Sequence, residues 1–459
     1  MSEQEKISQL IKAVFCGWQG AGINFLILRN YENLPDHTAN SIDVLVNPEQ
    51  LQPAEEILLA AAQETGFALH NRAEFATLAL YLSEKESGVQ THFDLFTDLK
   101  WRGFDFLFCE EFLERRVPRG LFAVPHPADE AATNLLASLI CTGKVKEKYK
   151  PPIVAGLRAG RAQAMQLLGK IYGPRLARRL VESATEEKWE QIEASTSALR
   201  RALVFRQLTG RTWRTGKSLL TDVMRLVKRW LRPPGLFVVL CGADGSGKST
   251  AARRLIEGLS STFSPRKARH FHWKPPLFSA RRMAARSPEQ APHGQPPRNR
   301  FVSLLFLGFH WLEFFLGSHF RVRAITSRGG LVLIERFYYD FFVDQRRYRL
   351  RVPQLLVRLG CRWLRQPDLV LLLDAPVELL QSRKQEVAPA ETQRQREAYL
   401  QLVQGLKNGW IADAAQPPQK VVNDLNQAIL DFMRQRTNQR SGKKPGVVST
   451  ATGQPKNAF

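Results

Sequence analysis

Residues 236–250 read LFVVLCGADGSGKST: six apolar residues, a glycine-rich turn, and the start of a helical stretch that continues as AARRLIEGL to Leu259. Gly242, Ala243, Asp244, Gly245, Ser246, Gly247, Lys248 and Ser249 match the pattern G-x-x-x-x-G-K-S/T in the strand, loop and helix context that gives it meaning. The chemistry needs glycines there because successive backbone N–H groups must curl around a phosphate without a side chain in the way. The helix N-terminus adds the positive end of its dipole. Lys248 then reaches the β- and γ-phosphates, the Ser249 hydroxyl ligates Mg²⁺, and Thr250 supports the loop. ATP and Mg²⁺ are the cofactors expected. The bland alternative is a glycine-rich turn that happens to hold a lysine, and the flanking strand and helix weigh against it.

Two further apolar runs each end in a carboxylate. Leu331–Ile334 leads into Glu335, Arg336 and Phe337, and Leu369–Leu373 leads into Asp374, Ala375 and Pro376. Ligands of parallel α/β sheets sit beyond the carboxyl ends of the strands, so both acids are candidates to face the nucleotide. Glu335 is suited to hold a Mg²⁺-bound water or polarise an acceptor, and Arg336 to bind the acceptor's anionic group. A surface ion pair at a strand end is the competing assignment.

The whole chain has 459 residues, 44% hydrophobic and 24% charged, which excludes wholesale disorder and allows two or three packed cores. Lys and Arg outnumber Asp and Glu by 66 to 43, a formal charge of +23, so anionic partners are expected: phosphates, nucleic acid or an acidic membrane surface. Cys16, Cys109, Cys141, Cys241 and Cys361 lie far apart and suggest neither a zinc site nor a disulfide framework. The amino terminus, MSEQEKISQL, lacks the basic flank and apolar run of a secretory signal, so a cytoplasmic protein is expected.

Residues 1–124 alternate strand-like runs (FLILR, IDVLV, THFDLF) with helical stretches and read as a small α/β domain. Residues 125–232 read as successive helices. Pro233, Pro234 and Gly235 break the last of them, and a second α/β domain, a parallel sheet flanked by helices, spans 233–437. Within it Ser279–Arg300 is basic and proline-rich and reads as a loop. Residues 438–459 have almost nothing to bury and read as a disordered tail.

Phe301–Phe320 is about long enough to span a bilayer, but His310, Glu313 and His319 interrupt it and favour a buried or interfacial helix. Cations are dense from Arg200 to Arg232. Opposite them Leu219, Leu220, Val223, Leu226, Val227 and Trp230 fall at helical spacing, which favours a core-facing helix over an interfacial one. The latter would mean peripheral association with an anionic membrane. No zinc finger, aromatic RNA-binding signature or helix-turn-helix is legible, so no specific nucleic-acid partner is expected.

On these residues, 236–433 resemble the thymidylate kinase group of P-loop kinases. The GADGSGKST loop is similar, Asp244 included, and Glu335-Arg336-Phe337 stands where that family carries Asp-Arg-Tyr, whose arginine binds the acceptor phosphate. LVLLLDAPVELLQSRKQE resembles the family's strand, Asp-x-Pro turn and lid, which implies Arg383 and Lys384 as lid cations on the transferring phosphoryl group. VVNDLNQAI from Val421 is similar to the segment that closes over the adenine. ERFYYDFFVDQRRYR, which contains Arg347, and RKQEVAPAETQRQREAYLQL resemble more narrowly the divergent thymidylate kinase-like proteins encoded among bacterial exopolysaccharide and lipopolysaccharide genes. The chain departs from true thymidylate kinases where they place Arg-Glu-Pro-Gly, having FHWKPPLF from Phe271, so a different acceptor pocket is expected.

The amino-terminal unit resembles the nucleotidyltransferase fold. Asp43 and Asp94 stand at two of that family's three metal-binding carboxylates and Ser41 at the first, which implies a domain without two-metal chemistry. Together these readings describe an ATP- and Mg²⁺-dependent phosphotransferase acting on a nucleoside monophosphate or related small acceptor. The alternatives are a nucleotidyltransferase and a nucleotide-binding scaffold of a glycan assembly complex. The oligomeric state stays open, a dimer included.

Overall fold

The computed structural model describes residues 2–38, 41–107, 110–210, 212–263, 267–275 and 296–441. The chain divides into two compact units, Met1–Lys228 and Arg229–Phe459. Residues 279–295 of the basic loop and 442–459 of the tail, for which disorder is expected, lie outside the described residues.

In the first unit β1 (Phe25–Ile27), β2 (Ile42–Val46), β3 (Phe67–Glu74), β4 (Leu78–Glu84) and β5 (Gln90–Phe96) form one sheet in the order β1-β2-β5-β4-β3. Only β2 and β5 pair in parallel, which sets Asp43 directly beside Asp94. Successive strand residues point to opposite faces. Phe25, Ile27, Val44 and Val46 meet α1 (Glu3–Gly20) and α2 (Leu51–Glu64), while Leu26, Leu28 and Leu45 enter a core with Leu135, Leu157, Leu168 and Leu199. The helices after Pro127 thus share a core with the sheet, because both faces of β1 and β2 are apolar.

One helix departs from expectation. In α3 (Thr212–Leu231) Thr215 is the buried residue, and Leu220, Val223, Leu226 and Val227 are exposed. The stripe read as core-facing has no core to face, since the helices between Pro127 and Gly210 already cover that side of the sheet. Leu219 lies against Gly103, and the Thr215 hydroxyl donates to the Gln207 carbonyl at 3.1 Å.

In the second unit β6 (Leu236–Cys241), β7 (Arg269–Phe271), β8 (Leu331–Glu335), β9 (Leu369–Asp374) and β10 (Gly409–Asp413) form a parallel sheet in the order β7-β8-β6-β9-β10. Helices cover both faces, which is why β6, β8 and β9 are near-continuous apolar runs. The last helix, Pro418–Arg440, extends three residues past the expected start of the tail. Arg436 donates to the carbonyls of Gly235 and Pro234 at 2.9 and 3.1 Å, and Arg440 to that of Pro233 at 3.1 Å, so its end clamps the Pro-Pro-Gly segment.

The apolar stretch from Phe301 forms α4 (Arg300–Leu316), and the helical path continues to Ser327; by length and composition it could cross a membrane. One side is built into the second core through Leu307 and Phe314. Beneath it the buried carboxylate of Glu313 pairs with the buried Lys274 ammonium, which also lies 3.0 Å from His310 Nδ1. Burial first, and Lys274 second, depress His310 to about 4, so the ring is neutral at pH 7.

Breaking such a pair leaves a charge uncompensated. Glu313→Ala should destabilise the second unit by roughly 3–5 kcal/mol in denaturant unfolding, whereas Lys274→Met with Glu313→Leu should stay close to wild type.

Candidate active site

The loop after β6 is shaped by its glycines. Gly242 has φ +143°, and a Cβ there would meet the Leu373 carbonyl at 2.7 Å; Gly245 has φ +85° and would meet the Leu380 carbonyl at 2.6 Å. Gly247, φ +88°, precedes α5 (Lys248–Gly258), whose N-terminal N–H groups open onto the loop. Lys248 is buried, and its ammonium donates to the carbonyls of Gly242 and Ala243 at 2.9 and 2.8 Å. Burial, then the nearby Arg336, lower its pKa to about 8.

Parallel pairing sets Glu335 of β8 alongside Leu240 of β6. The Ser249 hydroxyl donates to Glu335 Oε2 at 3.0 Å. His270 Nε2 lies 2.7 Å from Oε1, and His272 Nδ1 3.4 Å from Oε2. Burial works against the Glu335 charge, yet the two histidines and Ser249 hold its carboxyl well below the usual range. Both histidines were missed by sequence reasoning. Their signal is the i, i+2 spacing of 270 and 272, the first on β7 beside β8 and the second in the bend just past its end, both within reach of Glu335.

Just past β8 the backbone of Arg336 and Phe337 is left-handed, at φ +66° and +55°. For non-glycine residues each such conformation costs about 1–3 kcal/mol and persists only where the surroundings hold it. Here the buried Phe337 ring packs edge-on against Phe237, and the Arg336 guanidinium is turned onto Asp244 of the loop. Arg347 also binds Asp244, at 2.7 Å, and reaches Glu386 at 2.8 Å. Burial would raise the Asp244 carboxyl, but Arg336 and its other neighbours hold it far below the usual range. Asp340 adds a second acid 3.8 Å from Arg336 and accepts from Tyr348 at 2.7 Å.

The structure therefore gathers Asp244, Ser246, Lys248, Ser249, Glu335, Arg336 and Arg347 around one loop. Thr250 follows on the exposed side of α5. Asp374 is not joined to Glu335; its two oxygens accept a bidentate pair from Arg396 at 2.7 and 2.8 Å. Arg383 donates to the Ala414 carbonyl at 3.2 Å, and Lys384 pairs with Glu386. In the first unit Asp43 is buried, accepts from Ser41 at 3.0 Å, and is ion-paired with Arg29. Burial opposes the Arg29 charge, but Asp43 outweighs it and raises the pKa, so a guanidinium occupies this carboxylate. Asp94 lies 4.0 Å from His92.

No family model matches the chain. It is 31% identical over 193 residues to the thymidylate kinase of Chromohalobacter salexigens, covering 40% of this chain and 84% of that protein. It is 28% identical over 219 residues to the thymidylate kinase of Thermosynechococcus vestitus, covering 42% of this chain and 87% of that one. The solved thymidylate kinase of Ehrlichia chaffeensis aligns over 45% of this chain and its own full length, at 15% identity and a TM-score of 0.30.

The lowered pKa of Lys248 gives a pH signature. The amine is protonated below about pH 8, and a phosphate held there would stabilise that form, so its binding above this pH would take up a proton. Calorimetric affinity for Mg-ATP should fall about tenfold from about pH 7 to about pH 9, a dependence that Lys248→Arg removes.

Proposed function

The chain belongs to the thymidylate kinase family over about 40% of its length, and from that premise we propose that it transfers the γ-phosphoryl group of ATP to a nucleoside monophosphate or a related small acceptor. The observation that carries this reading is the convergence of Lys248, Ser249, Glu335 and Arg336 on one glycine-rich loop.

Phosphoryl transfer asks the protein for position and opposite charge, with little covalent chemistry. Backbone N–H groups of 243–248 and the start of α5 hold the β- and γ-phosphates, and Lys248 exchanges its loop carbonyls for phosphate oxygens. Ser249 and Glu335 would hold Mg²⁺, since a hydroxyl and an ionised carboxylate 3.0 Å apart are hard oxygen donors of the kind it takes. Bound there, the ion neutralises phosphate charge. Arg336 and Arg347, both ion-paired with Asp244, would neutralise the acceptor's anionic group and the transferring phosphoryl. Arg383 and Lys384 extend the positive charge along the segment after β9. Trp273, stacked on Tyr348 at 5.0 Å, and Lys274 belong to the segment FHWKPPLF that replaces the Arg-Glu-Pro-Gly of true thymidylate kinases, so the acceptor pocket differs from theirs and dTMP is one acceptor among several to assay.

Purified protein with Mg-ATP and a panel of nucleoside monophosphates should release ADP with at least one of them. Lys248→Ala should lower that rate by about a hundredfold or more. Arg336→Ala should raise the acceptor KM at least about tenfold. Release no greater than that of Lys248→Ala for every acceptor would overturn the reading.

A further inference from the structure

We propose that α3 is a docking helix that lays its apolar side into the surface of an anionic bilayer. Trp213, Leu220, Met224, Val227 and Leu231 recur at i, i+7, i+11, i+14 and i+18, which sets them in one stripe along the helix. All five are exposed, Trp213 at 86% and Leu231 at 64%. A continuous exposed stripe of this kind marks an interaction surface, where scattered single residues would not.

The charge beside the stripe selects the occupant. Arg214, Lys217, Arg225 and Lys228 lie along the adjoining side of the same helix. Arg214, Lys217 and Arg225 join Lys100, Ser218 and Thr221 in lining a cavity of about 260 Å³, four of its six lining residues being cationic. Acids stand behind it: Lys100 is 3.0 Å from Asp98 and 3.6 Å from Asp105, Arg214 4.0 Å from Asp105, and Arg225 3.5 Å from Asp222. Lys228 pairs with Glu74 at 2.8 Å. These partners neutralise the row only in part.

A second copy of the helix would bring two cation rows together in a chain already carrying +23. A leaflet of anionic lipid instead presents phosphates to the cations and hydrocarbon to the stripe, the combination that holds an interfacial helix. Trp213, at the start of the stripe, supplies the residue type that settles at headgroup depth.

Flotation of the full chain tests this with vesicles of phosphatidylcholine alone and of phosphatidylcholine containing about one-third phosphatidylglycerol. The protein should rise with the anionic vesicles, stay at the bottom with the neutral ones, and lose binding about tenfold or more as salt is raised. Leu220→Asp with Val227→Asp should stay at the bottom while keeping the wild-type melting temperature. Leu305→Asp, on the exposed side of α4, should float as wild type does. Wild-type protein left at the bottom with anionic vesicles, or rising equally with neutral ones, would overturn the proposal. So would flotation retained in the double variant, flotation lost in Leu305→Asp, or a wild-type dimer that the double variant dissolves.

Discussion

The candidate site depends on the parallel pairing of β6 with β8. That register places Glu335 beside Leu240, two residues ahead of the first loop glycine, so an acid from one strand and a hydroxyl from the helix after another meet at 3.0 Å. A one-residue slip would turn Glu335 to the other face of the sheet. The apolar faces prevent it: Leu331 and Leu333 belong to one core, and Val332 and Ile334 to the other. Hydrophobic patterning of an ordinary kind thereby positions the charged groups.

Those groups form an alternating array. Lys248, Arg336 and Arg347 face Asp244, Glu335, Asp340 and Glu386, and nearly all are buried or half-buried. Isolated, each would carry a large desolvation cost; together they keep one another ionised. The arrangement suits a ligand that is itself highly charged, because an anion entering there would find cations already in position.

The loop and the strand-end acids were legible because local rules decide them: glycines where φ is positive, apolar runs where a strand is covered on both faces, a lysine one residue past Gly247. The partners were less legible. Whether Asp374 faces a ligand or Arg396 depends on where a helix some twenty residues later comes to rest. His270 and His272 lie 65 and 63 positions before Glu335, and only the sheet order β7-β8-β6 brings them together. The stripe on α3 has the periodicity of a core-facing helix, and periodicity is silent on whether a core remains to be faced. In the first unit Ser41 and Asp43 could be read from the sequence, whereas the Arg29 guanidinium on Asp43 became visible only once β1 lay against β2.

The clamp of Arg436 and Arg440 on residues 233–235 brings the segment that leads into the second sheet together with the end of its last described helix. A module whose two ends converge can be appended to another polypeptide at a single junction, leaving its sheet and loop undisturbed.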